Sequence, residues 1–175
     1  MTSRAATPRP MIAPIRVLET RPVGAVARYY PASRSMEVGP DLRHAAQLSP
    51  AARTDALHTL AHEIGHAFED PLDLTEATFT ALLGHYEFGR GFVAANGRFG
   101  KAGYLAASPE RTFRNPSEAV ASLFADLVVY PAALTMGQRR WFKARLVELP
   151  EWGAAIEALR RTDLIAILDA GHFPI

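Results

Sequence analysis

The chain reads as an α+β protein, with a small N-terminal β-sheet followed by a mostly helical remainder. Three observations predict this. Short β-rich runs bounded by proline and glycine turns fill residues 15–38. Helix-start signals recur from Ser49 onward. Strands come first and helices after, which is the α+β order and not the alternation of an α/β sheet.

Residues 1–14 carry three prolines among small and polar residues and read as a flexible tail. Ile15-Arg16-Val17-Leu18 and Ala25 to Tyr30 look like strands, with Arg21-Pro22-Val23-Gly24 as a turn between them. Pro31-Ala32-Ser33-Arg34 turns into a third short strand, Ser35 to Val38, so a hairpin or meander is expected.

Ser49-Pro50 supplies an N-cap and a first-turn proline. The helix it opens should stop near Pro71. Asp73-x-x-Glu76 resembles a capping box for a second helix reaching about Tyr86. Gly89, Gly91, Gly97, Gly100 and Gly103 mark residues 88–107 as a loop or short-strand insertion, with Phe92, Phe99 and Tyr104 beside a cleft. Asn115-Pro116-Ser117-Glu118 starts a third helix ending near Pro131. Thr135 opens a fourth over Gln138 to Leu149. A fifth covers Glu151 to Arg161, and Thr162-Asp163 opens a last one to Asp169. Residues 15–175 are expected to form one domain.

The 175 residues suffice for one sizeable core. Half are apolar and 21% are charged, an ordinary globular composition. The net charge of +1 creates no global field favouring nucleic acid or a membrane. Met1 to Pro14 lacks an apolar signal-peptide core, and no run approaches about 18 apolar residues. The cytoplasm is the default expectation, and export without such a signal is also compatible. With no cysteine, disulfides and thiolate ligands are excluded.

Inside the Ser49 helix lies His62-Glu63-Ile64-Gly65-His66, an HExxH motif. Positions i and i+4 share a helix face, so both imidazoles can aim at one Zn²⁺ ion. Glu63 is rotated by about 100° and can take a proton from a water there. Gly65 lowers helix propensity by about 1 kcal/mol relative to alanine, a cost that close packing against a neighbour would explain.

Catalytic zinc usually has three protein ligands. Glu118 is one candidate for the third. Asn115-x-x-Glu118 is also a capping-box pattern, so local helix stabilisation explains the same glutamate equally well. His85 and Glu87 form a second candidate pair. Asp70 and Asp73, flanking Pro71, read as helix punctuation. The extended HExxHxxGxxH pattern is absent, because Glu69 and Leu72 stand at its last two positions.

The segment Thr59-Leu60-Ala61-His62-Glu63-Ile64-Gly65-His66 resembles ImmA/IrrE-type zinc metallopeptidases, which read T-L-A-H-E-L-G-H there. Their third-ligand helix, E-x-x-A-N-x-F-A-x-x-L-L-M-P, is similar to Glu118 through Pro131, with Ser122 in place of the asparagine. The catalytic domain of anthrax lethal factor and related toxins offers a second resemblance. It rests on His62 to Ala67, Glu69-Asp70 and Asn115-x-x-Glu118-x-x-Ala121. Either resemblance implies a zincin fold, one Zn²⁺ held by His62, His66 and Glu118, and Glu63 as general base. The reaction implied is hydrolysis of a peptide bond in a protein or peptide.

The toxin family's oxyanion tyrosine falls at Arg111 here. Tyr104, Tyr86, His85 and Arg111 are therefore candidates for that role, Tyr104 foremost. Asp126 could accept an N–H from a ligand histidine, although a solvated aspartate is the simpler reading. His58, four residues before His62 and on the same face, could back the ligand histidines, although a partly exposed helix residue is the simpler reading. Trp141, Phe142 and Leu146 read as core. Arg139, Arg140, Lys143 and Arg145 read as a solvated helix face. The rival to an enzyme is a zincin-fold regulatory or binding module that uses this basic face for docking and cleaves little.

Overall fold

Residues 15–20, 25–72 and 116–171 are described in a computed structural model of the chain. The tail 1–14, the turn 21–24, the helix expected from Asp73 and the glycine-rich segment 88–107 lie outside these residues.

Three strands make the sheet: β1 (Ile15–Val17), β2 (Ala27–Tyr30) and β3 (Ser35–Val38). Ala27 and Tyr29 are buried while Arg28 is exposed, the alternation of a strand with one covered face. β2 and β3 form the expected antiparallel hairpin, with Tyr29 opposite Met36. β1 departs from a meander. It pairs parallel with β3, Ile15 beside Met36 and Val17 beside Val38, so the order is β1-β3-β2. The reason is burial: Met36 and Val38 are wholly buried, and a central position covers both sides of their strand. The outer face is polar. Tyr30 Oη donates to Glu37 Oε2 at 2.7 Å, and Arg16 lies 3.9 Å from the same carboxylate.

Six helices follow among the described residues: α1 (Pro40–Leu48), α2 (Pro50–Glu69), α3 (Pro116–Val129), α4 (Met136–Glu148), α5 (Pro150–Arg161) and α6 (Leu164–Ala170). A short 3-10 turn, Pro131–Ala133, joins α3 to α4. Ser49 caps α2 as expected, its hydroxyl accepting the Ala52 N–H. Thr135 and Gln138 form a reciprocal capping box at α4. The α1 helix is not expected from the sequence. Only Leu42 and Ala46, one turn apart, are fully buried along it, a pattern too sparse to read as a periodic face.

The core sits between α2, α3 and the later helices. Phe68 packs 5.1 Å from Phe124, 5.8 Å from Phe142 and edge-on to Trp152 at 5.3 Å, ring centre to ring centre. These are the offset and T-shaped separations that aromatic quadrupoles favour. Phe142 is core as expected, with Trp141 and Leu146 half-buried against it. At the far end, Gly171 takes φ +64° to close α6, and its carbonyl accepts the Ile15 N–H at 2.6 Å. That bond ties the last helix to the first strand.

Among the described elements, α2 and α3 make the most extensive contact. Gly65 permits it. A Cβ there would lie 2.7 Å from Ala121 Cα and 2.8 Å from Ala121 O. The two helices run antiparallel, so residues 66, 62 and 58 descend past residues 117, 122 and 126. No helix among the described residues is long and apolar enough to cross a membrane.

Candidate metal centre

The four-residue spacing on α2 stacks the His62 and His66 rings edge to face, 4.9 Å between centres. The first turn of α3 lays Glu118 across them. Its Oε2 is 3.2 Å from His62 Nε2, and its Oε1 is 3.7 Å from His66 Nε2. One donor atom from each residue lies within 4.8 Å of the others, and among the described residues no other such group of three exists. Tetrahedral zinc with nitrogen and oxygen ligands separates its donors by roughly 3.3–3.5 Å. The Glu118 contacts bracket that value, so the donor set fits a His₂Glu zinc site.

The outer nitrogens are also engaged. His62 Nδ1 is 3.2 Å from Ser122 Oγ, and His66 Nδ1 is 3.0 Å from Ser117 Oγ. Ser117 Oγ donates in turn to Glu69 Oε1. Both rings are thereby braced from behind, with Nε2 facing Glu118.

Glu63 lies beside the pair, and the sheet holds it. Tyr29 N–H, on the edge strand β2, donates to Glu63 Oε2 at 2.8 Å. Burial raises the Glu63 pKa above the ordinary carboxylate value. The charges of His62 and His66 and the Tyr29 hydrogen bond offset this in part, and Glu118 adds to it. Glu118 is shifted the other way. The His62 hydrogen bond lowers its pKa, burial opposes, and both histidine charges assist. For His66, burial disfavours charge, but the nearby Glu69 carboxylate and the fields of Glu63 and Glu118 outweigh it and raise its pKa. Three carboxylates around two imidazoles make a site that favours positive charge.

The structure thus brings together His62, Glu63, His66 and Glu118. The Glu118 carboxylate points at the imidazoles, and its capping-box partner Asn115 lies outside the described residues. Asp70 stands apart at the end of α2, 3.8 Å from Arg34. Tyr86, His85, Glu87, Tyr104, Arg111 and Asp73 lie outside the described residues.

Two expectations are corrected. His58 is buried, at 7% exposure, and is not a partly exposed helix residue. Asp126, its side chain 20% exposed, is the partner, 3.0 Å from His58 Nε2, and is not bonded to a ligand histidine. The His58 and Tyr130 ring centres are 6.1 Å apart at the same end of the interface.

Sequence reading missed Ser117, Glu69 and the Tyr29 link. Ser117 adjoins Glu118, and Glu69 follows His66 by three residues, so adjacency was the available signal. The Tyr29 link had none, since it spans 34 residues between strand and helix. No family model, no curated protein and no solved structure matches the chain.

Proposed function

We propose that the protein is a zinc-dependent metallopeptidase that hydrolyses a peptide bond in a protein or peptide substrate. The observation that carries this reading is the convergence of His62 Nε2, His66 Nε2 and the Glu118 carboxylate beside Glu63. The resemblances to ImmA/IrrE-type peptidases and to the lethal factor catalytic domain support it from the sequence side.

Zinc, when bound in such a site, lowers the pKa of a water molecule to about 7 and polarises a carbonyl. The chain's own residues supply the rest. His62, His66 and Glu118 would hold the zinc through two imidazole nitrogens and one carboxylate. Glu63 is the general base. Its Oε2 is fixed by the Tyr29 N–H, which leaves Oε1 to accept the proton of the attacking water. The oxygen of that water bonds to the peptide carbonyl carbon. The carbon–nitrogen bond then breaks, and Glu63 hands the proton to the leaving nitrogen. Burial, which raises the proton affinity of Glu63, suits it to that transfer.

The basic face of α4 gives the binding-module reading little support. Arg139 donates to the Leu134 and Ala132 carbonyls, and Arg145 pairs with Glu148 at 3.2 Å. Two of its four cations are thus engaged locally.

The test is cleavage of a diverse peptide library by zinc-loaded wild type and by Glu63→Gln, read by mass spectrometry. The expected result is cleavage by wild type and a loss of about 10²–10⁴-fold in the variant, with zinc retained. Equal cleavage by both, or no cleavage by zinc-loaded wild type, would overturn the peptidase reading and favour the binding module.

A further inference from the structure

Ser117 has one hydroxyl proton, and the Glu69 carboxylate receives it. A carboxylate can only accept, so the direction of that bond is settled. Ser117 Oγ therefore has only lone pairs to offer His66, and the 3.0 Å contact must be donated by His66 Nδ1–H. A neutral imidazole with its proton on Nδ1 carries its lone pair on Nε2. That is the atom facing Glu118, 3.7 Å away.

Glu69 does not reach His66 well by itself. Its Oε1 lies 3.6 Å from Nδ1, beyond hydrogen-bond distance, and the two residues sit only three apart on one helix. The serine closes the gap from the opposite helix. Ser117 is the second residue of α3 and immediately precedes Glu118. One helical turn thus supplies both the third ligand and the brace for the second.

His62 is held differently. Its Nδ1 meets Ser122 Oγ at 3.2 Å, and Ser122 is buried on the same helix, four residues past Glu118. Among the described residues no carboxylate stands behind that hydroxyl. A serine in a helix can turn its proton to the carbonyl one turn back. The His62 brace therefore fixes orientation without adding charge.

We infer that Glu69 and Ser117 act in series as positioning residues: they fix the Nδ1–H tautomer of His66 and raise the basicity of its Nε2 toward a divalent cation. Ser122 orients His62 independently of them. This rests on the zinc-site reading above and assigns the outer residues of that site. An anionic acceptor behind a ligand imidazole strengthens its donor atom, and loss of such a partner typically weakens metal binding by about 10–100-fold.

Series action makes a prediction that ordinary packing does not. Residues in one chain of bonds fail to add, while independent braces do. The experiment is Zn²⁺ affinity by competition with a chromophoric chelator. It compares wild type, Ser117→Ala, Glu69→Gln, their double variant, Ser122→Ala, the Ser117→Ala/Ser122→Ala double variant and Ser117→Thr, with circular dichroism confirming the fold of each. The expected result is a loss of about 10–100-fold for Ser117→Ala and for Glu69→Gln, with the double variant no weaker than the worse single. Ser117→Thr, which keeps the hydroxyl, retains affinity. Ser122→Ala combined with Ser117→Ala multiplies the two losses. If wild type binds zinc and the Ser117 and Glu69 losses multiply or are absent, the relay is wrong while the zinc site stands. If well-folded wild type binds no zinc, the relay falls together with the zinc reading.

Discussion

Gly65 and Ala121 meet backbone to backbone, so a Cβ on residue 65 would stand 2.7 Å from Ala121 Cα. This contact sets the α2–α3 spacing and hence the distance from Glu118 to the two imidazoles. Gly65→Ala should gain about 1 kcal/mol in helix propensity. It should lose more to overpacking, typically about 1–3 kcal/mol, because the obstructing atoms are backbone. The expected outcome is a net loss of stability in urea denaturation and weaker zinc binding. Adding Ala121→Gly should not restore either, since the clash is with Cα and the carbonyl and not with a side-chain methyl. Rescue by that second change would show that the helices can close further than the packing implies.

The His58–Asp126 pair bridges the same two helices at the other end. Truncating Asp126 leaves the buried His58 without its partner, at a cost of about 1–3 kcal/mol, and truncating His58 leaves Asp126 only partly reached by water. Asp126→Ala and His58→Ala should each destabilise by that order. A double-mutant cycle should give a coupling above about 0.5 kcal/mol, because the residues touch. Additive losses would mean that the contact contributes nothing beyond packing.

Metal-free protein should show the cost of ionising Glu63. Its folded pKa is raised, by burial first, above the unfolded value. The stability linked to its proton is fully present below the unfolded carboxylate pKa and is lost as pH rises through the raised folded pKa. Glu63→Gln removes this titration while keeping an oxygen for the Tyr29 N–H. With chelator present, the variant should gain stability relative to wild type on going from acid to neutral pH. Urea denaturation at several pH values measures the difference. A gap that stays constant or runs the other way would contradict the assignment.

Arg34 holds φ +49° in the β2–β3 turn, a conformation that costs an L-residue roughly 1–2 kcal/mol. Against that stands its contact with Asp70 at 3.8 Å, in which both side chains are about one-third exposed. Exposed pairs contribute about 0–1 kcal/mol. Arg34→Gly should therefore be neutral to stabilising in thermal denaturation. A clear loss would assign Arg34 a larger role at the end of α2.

The sequence makes the site's helices legible because their signals are local. Ser49-Pro50 marks the start of α2, and HExxH fixes two side chains on one face whatever surrounds them. Gly65 is legible as a packing residue because a glycine inside a helix needs a reason. Glu118 is ambiguous by helix physics alone, since a first-turn glutamate has a local use, and only the resemblances favour it. The position of β1 depends on which strand needs covering on both sides, a tertiary matter that no run of residues records. The burial of His58 depends on Asp126, 68 residues away, and the brace on His66 depends on Ser117, 51 residues away. Periodicity carries no information about such pairs.

Bound zinc per chain, measured by elemental analysis after removal of loosely held metal, tests the central claim most directly. The comparison is wild type against Glu118→Ala, both purified without chelator-stripping resins or tags. The His62–His66–Glu118 centre predicts close to one zinc in wild type and a large loss in the variant. Absence of zinc from well-folded wild type, or one zinc held equally by Glu118→Ala, would contradict it.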